Sequence, residues 1–208
     1  MMEHSKDVVK TTIATYEKLA SHYTAQYTDR TPYQPLYNYF LTHLGGKKVL
    51  DVGCGPGHDA AFFTTKGLEV TGVDMSDNLL SFAVKSAPKA KFSNMDMRAL
   101  EFPPNAFDGL WVMASFQHLP KKDAHKTLAG FRNVLKDSGL LYLSVTEGVE
   151  EGMKSKERYL GNSKYFAHYS EAEITGLLTD VGFTTLKIMR AKTPRQNVFM
   201  DIFARPIV

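Results

Sequence analysis

Cysteine is almost missing from this chain: Cys54 is the only one in 208 residues. An internal disulfide is thereby excluded, and a single thiol does not make a zinc site, so no metal site is expected. No charge of one sign dominates, since the formal net charge is +3 with lysines scattered among acidic residues. Such a balance offers no electrostatic footprint for nucleic acid. Long apolar runs are absent as well. A bilayer span needs roughly 18 apolar residues, whereas Leu140 to Val145 is typical of the longest run here. The first residues, Met1 to Thr12, are polar and mixed in charge, unlike a signal peptide, so the sequence reads as cytoplasmic with no membrane partner. No stretch is of low complexity, and the length suits one α/β domain with a sizeable core.

What is present centres on Val49-Leu50-Asp51-Val52-Gly53-Cys54-Gly55-Pro56-Gly57-His58. An apolar run, Lys48 to Val52, stops at three alternate glycines, and a helical pattern from Asp59 to Lys66 follows: strand, tight turn, helix. Glycines let a ligand lie almost against the main chain, and the helix N-terminus beyond favours an anionic part of it. A second apolar run, Val70 to Val73, closes on Asp74, 21 positions after Gly53. An acid about 20 positions on is where ribose hydroxyls are gripped in doubly wound folds. The spacing is nevertheless G-x-G-x-G, with His58 where a dinucleotide fingerprint has its third glycine. Asp51, two residues before the first glycine, would face a pyrophosphate with like charge. The same carboxylate suits a ligand carrying an ammonium and a sulfonium, which argues for S-adenosylmethionine and against NAD.

The stretches VLDVGCGPG and VTGVDMS resemble motifs I and II of the class I S-adenosylmethionine-dependent methyltransferases. The resemblance runs on through Asn94-Met95-Asp96-Met97 and Phe107-Asp108-Gly109-Leu110-Trp111 to His118-Leu119-Pro120. It implies a Rossmann-like, doubly wound α/β fold: a seven-stranded, mainly parallel sheet with an antiparallel last strand and a C-terminal hairpin, and helices on both faces. It also implies S-adenosylmethionine as cofactor, held by Gly53, Cys54, Gly55 and Gly57 of the turn with Asp51. Asp74 and Met75 stand at the end of the second strand, Asp96 and Met97 lie at an adenine, and Ala114 and Ser115 stand after the fourth strand. Tyr16 to Tyr23 looks like the leader that caps the pocket in small-molecule methyltransferases. Tyr23 reads equally as cap or core; Tyr16 reads as core. Cys54 is best taken as a small side chain tolerated in the turn, since no Cys-His signature accompanies it.

Val9, Ile13, Tyr16, Ala20, Tyr23 and Tyr27 recur at helical spacing, and a second helix, Pro35 to Leu44, ends at Gly45-Gly46. Residues 1–45 thus form a helical cap on a single domain spanning 1–208. From Lys47 strands and helices alternate, as in a parallel sheet covered on both faces. Ser76 can cap a helix that buries Leu79, Leu80, Ala83 and Val84 and stops at Pro88. A short strand, Ala90 to Ser93, precedes Asp96, and a fourth, Phe107 to Met113, leads to the carboxyl edge, where ligands bind in open sheets. Ala124, Leu128, Phe131 and Leu135 mark a helix that Gly139 ends, before the strand Leu140 to Val145. The polar segment 146–169 reads as a loop folding over the pocket as an acceptor lid, with Tyr159, Tyr165, Phe166, His168 and Tyr169 walling the acceptor site. Ser170-Glu171-Ala172-Glu173 is a capping box. Thr184 to Arg190 and Asn197 to Ala204 read as a hairpin around Pro194, unlike a dehydrogenase.

In-line displacement on a sulfonium methyl needs the attacking atom held in line and water excluded. A hydroxyl acceptor also benefits from a positioned base. His118 and His168, both expected on the pocket side, are the catalytic candidates; His22 and His58 are weaker. Without a basic stripe or appended domain, a small-molecule acceptor is expected. A protein or RNA acceptor, a non-catalytic S-adenosylmethionine-binding module and an NAD-linked oxidoreductase are the competing readings.

Overall fold

A computed structural model of the chain describes residues 3–26, 28–192 and 198–208. Tyr27, Pro194 and Asn197 lie outside the described residues. Helix α1 (Glu3–Gln26) and, after a 3-10 turn, α2 (Gln34–His43) precede an alternating succession. It runs β1 (Lys48–Val52), α3 (His58–Thr65), β2 (Glu69–Asp74), α4 (Asp77–Ser86), β3 (Lys91–Asn94), β4 (Phe107–Val112), α5 (Lys121–Val134) and β5 (Leu135–Thr146). The chain continues through β6 (Glu151–Ser155), β7 (Ser163–Ala167), α6 (Glu171–Asp180), β8 (Phe183–Lys192) and β9 (Val198–Pro206). Seven strands form one sheet in the order β3-β2-β1-β4-β5-β9-β8. β1 pairs parallel with β2 and β4, and β4 with β5, while β9 runs antiparallel to both β5 and β8. The expected sheet, with its antiparallel last strand and terminal hairpin, is the one observed.

Strand alternation divides the interior into two cores. Leu50, Val52, Leu110, Val112, Leu141 and Leu143 turn to one face and meet Leu128 and Phe131 of α5 and Ile174 and Leu178 of α6. Val49, Trp111, Tyr142 and Phe203 turn to the other and meet Tyr37 and Phe40 of α2 and Phe63 of α3. Burial on both faces explains why β1 and β4 read as near-continuous apolar runs. Trp111 is the hub of the second core, stacked on Tyr142 at 3.8 Å and on Tyr37 at 5.2 Å.

Three expectations change. Val84 is 56% exposed, so the buried stripe of α4 is Leu79, Leu80 and Ala83. Gly139 does not end α5, which stops at Val134. The carbonyls of Asn133 and Val134 accept from the N–H groups of Asn105 and Ala106, and Leu135 pairs with Phe107, so the chain peels into β5 five residues early. Finally, 146–169 is not an irregular loop: β6 and β7 pair antiparallel from Glu151↔Ala167 to Ser155↔Ser163. α1 packs beside this hairpin, with Thr15 Oγ1 donating to the Ser163 carbonyl (2.7 Å) and Thr12 Oγ1 accepting from the Tyr165 N–H (2.9 Å). No helix among the described residues is long and apolar enough to cross a membrane.

Candidate functional site

The site begins where β1 runs out. The N–H groups of Gly53 and Cys54 both donate to the Val73 carbonyl, at 2.7 and 3.0 Å, which folds the turn back onto β2. Gly53 has φ of +71°, and a Cβ there would stand 2.3 Å from that of Ser115. Gly55, at φ +52°, is different: a Cβ would meet only the Tyr23 ring at 3.9 Å, so the main chain is bare toward the space under α1. Gly57 serves packing, since a Cβ would come within 2.8 Å of Ala83 Cα on α4. Asp74 ends β2 and braces the turn from below. Its Oδ2 accepts from the Gly55 N–H and its Oδ1 from the Ser76 N–H, both at 2.9 Å. Burial pushes its pKa up, opposed by hydrogen bonds from the N–H groups of Ser76, Gly55 and Met75.

Above this turn lies a cavity at the carboxyl edge of the sheet. Its floor is Gly53, Gly55 and Asp74; Met75, Met95, Asp96 and Met97 form one side, and Met113, Ala114, Ser115 and His118 the other. Val9, Thr12, Ile13, Tyr16 and Tyr23 of α1 roof it. Ala114 takes φ of +52°, which costs a non-glycine residue roughly 1–2 kcal/mol. Ser115 Oγ donates to the Val52 carbonyl (2.6 Å) and Gln117 Nε2 to the Ala114 carbonyl (3.2 Å), bonds worth about 1 kcal/mol each. These hold the end of β4 against the glycine turn.

Of the sequence candidates, Tyr23, Gly53, Gly55, Asp74, Met75, Asp96, Met97, Ala114, Ser115 and His118 share this cavity. Asp51, Cys54, Gly57 and His168 are not among its lining residues. Asp51 falls on the face opposite Leu50 and Val52, by alternation, and is 2% exposed with Oδ2 lacking a hydrogen-bond partner among the described residues. Burial first, then the nearby Asp59, pushes its pKa well up; Arg30 opposes them. Arg30 pairs with Asp59, which also accepts from the Tyr37 hydroxyl. The acid therefore sits beneath the turn rather than against the cavity. Burial also pushes the Cys54 thiol up, which keeps it protonated and unreactive. Asp96 lines the cavity, but Arg98 binds both of its oxygens (Nη2 to Oδ2 2.6 Å, Nε to Oδ1 3.0 Å), so an adenine amino group would compete with an ion pair.

The feature least visible in the sequence is Tyr16, expected in the core and found in the roof. Its hydroxyl lies 2.9 Å from His118 Nε2. His118 Nδ1 lies 2.6 Å from the Tyr165 carbonyl, which can only accept, so Nδ1 carries the hydrogen and Nε2 accepts from Tyr16. Burial lowers the His118 pKa to about 4, against the Tyr165 hydrogen bond, so the ring is neutral. His168 is half-buried on the hairpin, beside Gly148 and away from the cavity lining. The expected aromatic walls also lie elsewhere. Tyr169 is fully buried against Phe116, Tyr165 donates its hydroxyl to Glu151, and Phe166 packs on His118 at 4.7 Å from outside. α1, rather than the hairpin, covers the cavity, and the hairpin backs α1.

Residues 49–139 match the family model described as a methyltransferase domain. A Talaromyces variabilis protein named an S-adenosyl-L-methionine-dependent Diels-Alderase is 39% identical over 116 residues, covering 52% of this chain and 39% of that protein. A putative methyltransferase of Bacillus subtilis, YqeM, is 32% identical over 136 residues, 62% of this chain and 52% of its own length. The chain thus spans about half or less of these curated relatives. In structure it is similar to the Burkholderia thailandensis 1,6-didemethyltoxoflavin-N1-methyltransferase, solved with bound 1,6-didemethyltoxoflavin and S-adenosylhomocysteine. The TM-score is 0.80 at 21% identity, over 98% of this chain and 91% of that one. At that identity the likeness establishes fold alone. Residues 49–139, with the glycine turn and Asp74 inside them, are the part of the chain that matches the methyltransferase domain.

Proposed function

We propose that this chain binds S-adenosylmethionine in the cavity under α1 and transfers its methyl group to a small-molecule acceptor, releasing S-adenosylhomocysteine. The observation that carries this reading is Asp74. It is a half-buried carboxylate on the cavity floor, locked to Gly55 and Ser76, whose remaining lone pairs suit the two vicinal hydroxyls of a ribose. The rest of the cavity fits the same ligand. The bare backbone at Gly55 admits a close approach, the methionines adapt to a flat base, and the Tyr16 and Tyr23 rings in the roof suit a sulfonium. When bound, S-adenosylmethionine supplies a methyl already activated by the positive sulfur. The chain then has to orient the acceptor and exclude water, which α1 does by lying over the cavity. For a hydroxyl acceptor, Tyr16 relays a proton to His118 Nε2, which is bare and neutral.

Methyl transfer is not the only chemistry found on related chains, since one relative is named a Diels-Alderase. A domain that binds the donor without turning it over would share the same floor. Methyl-labelled donor offered with a panel of small acceptors separates these readings. Labelled product, abolished in Asp74→Ala, supports transfer. Donor binding without label transfer across the panel would leave the methyl donor in a structural or sensing role.

A further inference from the structure

After β4 the chain makes a single turn of 3-10 helix, Phe116–His118. Ala114, Ser115 and His118 line the cavity, but Gln117, which stands among them, does not. Its side chain runs instead to the end of β5. Oε1 accepts from the Thr146 N–H at 3.2 Å and from the Thr146 hydroxyl, while Nε2 donates back to the Ala114 carbonyl at 3.2 Å. Both Gln117 and Thr146 are 4% exposed. Thr146 is a firm anchor, because it pairs with Phe199 of β9 and its carbonyl accepts from the Tyr169 N–H at 3.0 Å.

The two backbone groups facing this amide fix which way round it lies. An N–H can only donate and a carbonyl can only accept, so the oxygen faces Thr146 and the nitrogen Ala114. A side chain in this place has to accept on one branch and donate on the other. A primary amide does both at any pH, a carboxyl of the same shape only while it holds its proton, and an aliphatic chain never. What the amide holds is Ala114 at φ +52°, a state that a non-glycine residue keeps only where its surroundings over-determine it. The turn hangs from that residue: Ser115 Oγ donates to the Val52 carbonyl at 2.6 Å, and the His118 N–H donates to the Ser115 carbonyl at 3.0 Å. Releasing the Ala114 carbonyl would let Ser115 leave the glycine turn and His118 leave Tyr16 together.

Resting on the reading that S-adenosylmethionine occupies this cavity, we propose that Gln117 is a positioning residue for methyl transfer. Its amide ties the left-handed Ala114 to the end of β5 and so sets the turn that carries Ser115 to the donor and His118 toward the acceptor. The role belongs to the donor-and-acceptor pattern of the side chain, not to its volume.

Calorimetric titration of S-adenosylhomocysteine into the full chain, Gln117→Leu and Gln117→Glu, from about pH 9 down to about pH 6, tests this. Failure of the unaltered chain to bind sinks the underlying reading and this proposal together. Each variant is compared with the unaltered chain at the same pH, which removes the pH dependence that Asp74 brings to all three. Gln117→Leu should bind on the order of tenfold more weakly throughout. Gln117→Glu should be as weak as Gln117→Leu at the alkaline end and approach the unaltered chain at the acid end, where the buried carboxyl takes a proton and donates to Ala114 again. A fold loosened merely by a lost contact would not be rescued by acid. Near-normal binding by Gln117→Glu at both ends beside a weakened Gln117→Leu also supports the proposal, the carboxyl then keeping its proton throughout. The proposal is overturned if Gln117→Leu binds as tightly as the unaltered chain, or if Gln117→Glu stays as weak as Gln117→Leu at the acid end. Should neither variant fold, hydrogen exchange of the Gln117 side-chain amide in the isotopically labelled unaltered chain decides: slowing on binding of S-adenosylhomocysteine supports the role, and an unchanged rate overturns it.

Discussion

Asp74 acts at the scale of one carboxylate, and two consequences follow from how it is held. Accepting from both ribose hydroxyls, it would contribute about 1.5–3 kcal/mol to donor binding. Asp74→Ala should accordingly weaken S-adenosylhomocysteine binding by about tenfold to a hundredfold in calorimetric titration. Because burial raises its pKa, affinity should fall as pH drops through a range above that of an ordinary aspartate, and the mutant should lose that dependence. His118 gives the opposite kind of group, a base whose folded pKa is depressed, from 6.5 to about 4. Between those values the unfolded chain binds the proton and the folded one does not. The contribution of His118 to stability is thus full above pH 6.5 and lost as pH falls to about 4. His118→Asn should flatten that part of the stability profile. With a hydroxyl acceptor it should also lower kcat by about 10²–10⁴, leaving the Kd of S-adenosylhomocysteine nearly unchanged.

Among the elements, legibility in the sequence tracks how local the cause is. β1 and its glycine turn are written in ten consecutive residues, and Ser76 and Ser170 cap α4 and α6 through hydrogen bonds to residues three positions on. Such features need no tertiary knowledge. The end of α5 was misread because its last carbonyls are taken by Asn105 and Ala106, far off in sequence. The Phe107-Asp108 stretch was recognisable but sits at the other end of the sheet. Asp108 there accepts from the N–H groups of Lys47 and Lys48 and pins the start of β1. Tyr16 was read as core because its role depends on α1 lying beside β7 and over His118, 102 positions away. That contact is itself testable. The double substitution Thr12→Val, Thr15→Val removes both side-chain bonds to β7. Faster amide exchange over residues 163–167, with little change in β1 or β4, is the expected result. Unchanged exchange would mean that packing alone holds the roof.

For the molecule as a whole, the sheet order decides which ligand edge is available. β1 and β4 are adjacent and their carboxyl ends diverge to crossovers on opposite faces, α3 on one and α5 on the other, the arrangement that opens a crevice in doubly wound sheets. The fold alone would serve a dinucleotide as well. What separates the two ligands is the short glycine turn with His58 in place of a third fingerprint glycine, and the β8–β9 hairpin closing the sheet. A ligand that binds the folded chain stabilises it by about 2.7 kcal/mol at a hundredfold excess over Kd, which for a chain of this size is a rise of roughly 5–10 °C in Tm. S-adenosylhomocysteine should produce a shift of that order and NADH essentially none. The shift should shrink in Asp74→Ala at the same ligand concentration. A larger shift with NADH would mean that the turn accepts a pyrophosphate, and that the cavity floor has been assigned to the wrong ligand.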